Sequence, residues 1–207
     1  MDLLTLIADS FKNPWILSGS LLAFLTYFSL WKQIRSDEDE VEQNFLTWFL
    51  WGVLDLIIAI ALIIQGGNFL LVSVYAAGGL VSAFLIWRIN GFSWTWFDLF
   101  VVFLVFASMV IWYRSGEWMA TIVSTIAMLI ASIPQLVDAW KKPEKMPLAA
   151  YFSYFVANVL TTVGGQDWSV KERFYPATCA VLCLLFVLFA ARRFYLKPVT
   201  KPVTAEP

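Results

Sequence analysis

The sequence predicts an all-α membrane protein: seven transmembrane helices arranged as two parallel three-helix repeats joined by a linker helix. Three observations predict it. Of the 207 residues, 60% are hydrophobic and 14% charged, with a mean hydropathy of +0.74, so an ordinary water-facing surface cannot be built and the bilayer must act as solvent. Polar breaks divide the chain into seven apolar stretches of about 20 residues, the length that crosses the hydrocarbon. One pattern of aromatic and polar residues then occurs in two of those stretches.

The stretches are 15–31, 45–64, 70–87, 96–113, 118–137, 148–163 and 174–194. Ahead of them, segment 1–14 carries Asp2, Asp9 and Lys12, has no basic leader and runs into no small-residue cleavage site, so it is not expected to be a cleavable signal peptide. The first stretch opens on Trp15, closes on Trp31 and holds the small run Ser18, Gly19 and Ser20, which suits close helix approach. Gln33 follows, and then the acidic run Asp37 to Glu40, read as a solvated loop. The second stretch carries Trp48, Trp51 and Asp55. The third opens near Tyr75, passes Ala76, Ala77, Gly78 and Gly79, and closes at Arg88. Helix packing accounts for its small residues, with a hinge at Gly78 and Gly79 as the alternative. The fourth stretch, within linker 89–116, is left over and restores the chain direction. The fifth ends at Pro134 and Gln135, the sixth carries Tyr151, Tyr154 and Asn158, and the seventh runs from Tyr175 to Arg192 and Arg193. Cys179 and Cys183 lie one helical turn apart there, a geometry unsuited to a mutual disulfide, and read as small buried residues. The tail 197–207, with three prolines, has little to pack and reads as a disordered extension. Aromatics at the ends, such as Trp87, Trp96, Tyr113, Trp118 and Tyr195, fit anchoring at the headgroups.

Trp48, Trp51 and Asp55 fall at i, i+3 and i+7, one helix face. Tyr151, Tyr154 and Asn158 repeat that face 103 positions later, and Phe49 with Phe152 and Val53 with Val156 match in the same register. Gln33 and Gln135 end the preceding stretches 102 positions apart, because the second loop is one residue longer. The repeats are therefore 15–88 and 117–196, and since a single extra stretch separates them they enter the membrane from the same side. Two matching faces imply one shared cavity.

Basic residues set the orientation, because Lys and Arg resist translocation. With the N-terminus outside and the C-terminus cytoplasmic, ten of the 14 basic residues fall on the inner side, and the host is expected to be the cell membrane.

Strongly polar side chains in hydrocarbon are costly unless they meet a partner, water or ligand, so Asp55 and Asn158 mark the candidate site. Aromatic faces beside hydrogen-bonding groups suit a sugar, a nucleoside or an amino acid, and an ionised Asp55 admits a cationic solute or a coupled proton. Pairing of Asp55 with Arg88, or a bond to Asn158, is the structural alternative. Asp98 and Asp138 read as interfacial. The chain has no histidine, which removes the commonest near-neutral proton carrier and metal ligand. No phosphate loop, metal-ligand spacing or catalytic pair is present, and the seventh stretch has no internal lysine for a Schiff base, so neither an enzyme, a metal nor a cofactor is expected. The expected partners are a small-molecule solute and membrane lipid, with room for a homo-oligomer, and no nucleic acid.

The run SIPQLVDAWKKPEKMP, with Pro134 and Gln135 before a basic loop, resembles the PQ-loop motif, and 15–194 as a whole is similar to the PQ-loop and SWEET superfamily of small-solute transporters. The resemblance implies two three-helix bundles around one central path, rocking between outward-open and inward-open states about motif prolines. It makes Pro134, Gln135 and Gln33 the hinge and gating candidates. Lys32 stands where the first proline is expected, so the first half should bend less readily. Helix termination is the other use of Pro134. The Trp48 and Trp51 pair resembles paired tryptophans of nicotinamide-riboside carriers, without transferring a substrate. The function implied is transport of a small polar solute by alternating access. The alternative is a non-transporting membrane interaction or receptor protein of the same fold, suggested by Lys32 and the acidic loop 37–42.

Overall fold

The computed structural model describes residues 3–36, 45–90 and 96–195; the acidic loop 37–42, the tail 197–207 and the side chains of Gln33 and Asp98 lie outside the described residues. All regular structure among the described residues is helical. The helices are α1 Leu3–Lys12, α2 Pro14–Ser36, α3 Phe45–Gln65, α4 Leu70–Asn90, α5 Trp96–Ala131, α6 Ile133–Lys141, α7 Leu148–Gly164 and α8 Tyr175–Ala191.

Five stretches are long and apolar enough to cross a membrane: Pro14–Lys32, Phe45–Gln65, Leu70–Ile89, Leu99–Lys141 and Val170–Phe194. Leu99–Lys141 runs for 43 residues, about twice the length one crossing needs. It breaks at Gly116, whose φ of 78° is open to glycine but strained for other residues, so it takes in the stretch expected at 118–137 and all but the first three residues of the one expected at 96–113. The helix Leu148–Gly164 has 17 residues, at the short limit for a crossing.

Segment 1–14 holds a helix that sequence reading left unassigned. In α1, Leu6 and Ser10 are buried one turn apart while Phe11 and Lys12 are exposed, which gives it one inward face. Asn13 separates α1 from α2 and caps the latter: its Oδ1 accepts the N–H groups of Trp15 at 3.1 Å and Ile16 at 3.3 Å, and Pro14 takes the first helical position.

Helix α2 packs on α4 and α7, α3 on α4 and α5, and α8 on α7 and α6. Small residues allow the closest approaches. A Cβ placed on Gly79 would lie 3.1 Å from Gly52 Cα, and one on Gly19 would lie 2.6 Å from the Ala157 carbonyl, so backbones of α3 and α4, and of α2 and α7, touch directly. Helix α4 is continuous through Gly78 and Gly79, as packing requires. At the α5–α6 junction Ser132 interrupts the helix two residues before Pro134, and α6 then runs on to Lys141. Proline breaks the ladder there without ending the run.

The outer surface is apolar. Phe24, Phe28, Phe84, Phe103 and Phe106 are 48–64% exposed, a face a water-soluble chain of this size does not present. Trp96, Tyr113 and Tyr195 are exposed at helix ends, in keeping with anchoring. Trp31 differs: it is half-buried, and its Nε1 donates to Ser82 Oγ at 2.9 Å. Asp138 is exposed.

Gly52→Val tests the α3–α4 contact. A Cβ there would meet the Leu80 backbone N at 2.9 Å, so the substitution is expected to cost about 1–3 kcal/mol, read as a lowered unfolding midpoint of the purified protein in detergent.

Candidate functional site

Residues that the sequence places on one face of α3 and one face of α7 meet at the centre of the bundle. Trp48, Trp51 and Asp55 from α3, with Tyr151 and Tyr154 from α7, line one cavity of about 90 Å³. The burial pattern repeats with the sequence pattern. Trp48 and Tyr151 are 6% and 8% exposed, whereas their neighbours Phe49 and Phe152 are 39% and 54% exposed, so both helices turn the same register inward. Asn158, the sixth expected residue, is wholly buried and does not line the cavity.

The remaining wall comes from other helices. Tyr27 of α2, Tyr75 of α4, Met128 of α5 and Ser132 line it too, and Tyr175, Cys179, Cys183 and Phe186 enter from α8. Five of the seven tyrosines in the chain line this one space. Tyr27 is the hub of the cluster, with ring centroids 5.2 Å from Tyr154, 6.1 Å from Tyr75 and 6.4 Å from Trp48. Sequence reading missed it, because α2 aromatics looked like interfacial anchors. Tyr75 and Tyr175 were visible only as matching starts of two stretches, and that match was the available signal. The two cysteines are free, as expected.

The two polar residues are held crosswise. Asp55 Oδ1 accepts a hydrogen bond from Tyr175 Oη at 2.8 Å, and Asn158 Nδ2 donates to Tyr75 Oη at 2.6 Å. Each polar residue is thus met by the tyrosine from the other end of the chain. Asn158 also donates to the Tyr154 carbonyl at 2.8 Å. Asp55 bonds neither Arg88, which is exposed, nor Asn158. No Lys or Arg among the described residues forms an ion pair with it; the pair present there is Lys12–Asp9, on the surface. Among the residues of the site, three buried polar atoms, Trp51 Nε1, Tyr154 Oη and Asn158 Oδ1, have no hydrogen-bond partner among the described residues.

The two ends of the bundle differ. At the end bearing Gly116, α2–α4 are bonded to the second half of the chain. Asn13 Nδ2 donates to the Gly164 carbonyl at 2.7 Å, and Gln65 Nε2 donates to the Glu117 carbonyl at 3.0 Å and to Thr121 Oγ1 at 2.9 Å. Asn68 donates its backbone N–H to the Lys171 carbonyl at 2.9 Å and its Nδ2 to the carbonyls of Thr161 and Glu172. At the end bearing Pro143, the bonds of Trp31, Gln135, Arg192 and Arg193 stay within one set of helices: Trp31 to Ser82, Gln135 to the Tyr151 hydroxyl, Arg192 to the Trp140 carbonyl and Arg193 to the Met146 carbonyl. The cavity extends from Asp55 and Tyr175 towards this end, where Trp48, Tyr151 and Phe186 line it. Gln135 therefore orients a cavity tyrosine, and Pro134 lies beside the helix break at Ser132, next to the cavity wall.

Comparison with known proteins finds no matching family model, no matching curated protein and no matching solved structure.

The crossed bonds predict unequal costs for removing the two hydroxyls. Tyr175→Phe takes the hydrogen bond from Asp55 and is expected to cost about 1.5–3 kcal/mol. Tyr75→Phe leaves Asn158 its bond to Tyr154 and is expected to cost about 0.5–1.5 kcal/mol. Unfolding in detergent, run on both variants, orders them.

Proposed function

We propose that the chain is a multi-pass membrane transporter that moves a small polar solute by alternating access through the central cavity, and that it is akin to the PQ-loop and SWEET superfamily. The observation that carries this reading is the pair of crossed hydrogen bonds beside one aromatic cavity that is clasped at one end. Helix contacts support a doubled architecture. Exchanging α2 with the second arm of α5 plus α6, α3 with α7, and α4 with α8 maps the contacts α2–α4, α3–α4 and α2–α7 onto α6–α8, α7–α8 and α5–α3. Asp55–Tyr175 maps onto Asn158–Tyr75 under the same exchange. Two parallel repeats flanking the first arm of α5 account for both facts.

Alternating access needs a site that can be sealed from one side at a time. Asn13, Gln65 and Asn68 form the seal at the Gly116 end, which the distribution of basic residues makes the outer side, with the N-terminus outside and the C-terminus in the cytoplasm of a cell membrane. The cavity, at about 90 Å³, is smaller than the roughly 300–1,000 Å³ of small-molecule pockets. Loading a solute therefore needs the helices to part. Pro134, Gln135 and the break at Ser132 give the second half a place to bend, while α2 runs unbroken to Ser36 with Lys32 at the matching position.

Two measurements test the reading. Reconstituted protein screened with labelled sugars, nucleosides and amino acids is expected to give saturable uptake, reduced at least about tenfold in Trp51→Ala and Asp55→Ala proteins that remain folded, the loss of roughly 1.4 kcal/mol of cargo contact or more. Normal uptake by both variants removes this cavity from the path. The only cysteines, Cys179 and Cys183, line the cavity, so a membrane-impermeant maleimide reports access from each side. Labelling is expected from the Pro143 side in the native chain, and Asn68→Ala is expected to raise labelling from the Gly116 side several-fold by removing two bonds of the seal.

A further inference from the structure

We propose that the cargo is a small organic monocation whose charged head lies between the Asp55 carboxylate and the surrounding ring faces; this deepens the transport reading and rests on it. Asp55 is 7% exposed and lines the cavity, and its hydrogen bond comes from Tyr175. A carboxylate has about four acceptor sites, so most of its capacity is unspent. An acid in the middle of an apolar helix keeps its charge only beside a positive partner, and among the described residues no Lys or Arg supplies one. A cation entering the cavity does.

The walls select which cation. Eight of the fifteen lining residues are aromatic, and ring faces attract alkylated ammonium groups, which surrender little hydration on leaving water. Metal cations require several oxygen, nitrogen or sulfur ligands, and no group of three His, Cys, Asp or Glu side chains is assembled among the described residues.

Choline and its neutral carbon isostere, dimethylbutanol, separate charge from shape. Titrated calorimetrically into the purified full chain, choline is expected to bind at least about tenfold more tightly than the isostere. In Asp55→Asn the preference should vanish while weak binding of the isostere persists. Trp51→Phe should keep choline binding within a few-fold, and Trp51→Leu should weaken it, which guards against a variant that merely fails to fold. Equal affinity for the two probes, a preference that survives Asp55→Asn, or no binding of either overturns the proposal, and so does tighter binding of potassium than of choline. Flux in vesicles is read separately. Choline binding without flux leaves the cation site standing and removes transport, whereas saturable flux of a neutral solute without choline binding does the reverse.

Discussion

A strongly polar side chain at the centre of an apolar bundle has to be met by another polar group, because nothing in its surroundings replaces the water it lost. Asp55 and Asn158 are two such side chains, and each is met by a tyrosine from the opposite half of the chain. That requirement fixes which faces of α3, α4, α7 and α8 turn towards one another. It also brings the rings of Tyr75 and Tyr175 to the same place, and Tyr27 and Tyr154 fill in around them. The cavity is what remains between rings too rigid to close it. Its polarity is concentrated at Asp55, because Asn158 spends its donors on Tyr75 and Tyr154 behind the wall.

How far this could be read from the sequence differs residue by residue. The inward faces of α3 and α7 were legible, since an i, i+3, i+7 pattern has one geometric meaning on a helix, and Trp48, Trp51, Asp55, Tyr151 and Tyr154 all reach the cavity. Asn158 was legible as buried and not as walled off, because the difference depends on how Tyr75 and Tyr154 sit across from it. Tyr27 was not legible. A tyrosine in an apolar helix has the same local signature whether it faces lipid or core, and only the approach of α4 and α7 decides. The bonds of Asn13, Gln65 and Asn68 were equally hidden, because each residue ends a helix or lies in a turn, where polar residues are ordinary. Helix α1 went unassigned for lack of a long apolar run, and its inward face needs only Leu6 and Ser10.

Helix α2 continues without a break through Lys32, whereas the helical run that leads into the loop before α7 is interrupted beside Pro134. Proline removes one backbone donor from the helix ladder at that break. Asp55 is carried on the unbroken helix α3, and Tyr151, bonded to Gln135, stands on the wall beside the break.

Asn13 has an effect on how the protein is made. Its carboxamide caps α2 and holds the Gly164 carbonyl, 151 positions further along the chain. At ribosomal speeds of roughly 5–20 residues per second, on the order of ten to thirty seconds separate the emergence of the two partners. Throughout that interval the stripe of α2 around Gly19 has no α7 to rest on. The nascent chain is then a partial bundle with one bare flank, and biogenesis ends only when its penultimate long helix arrives to cover it.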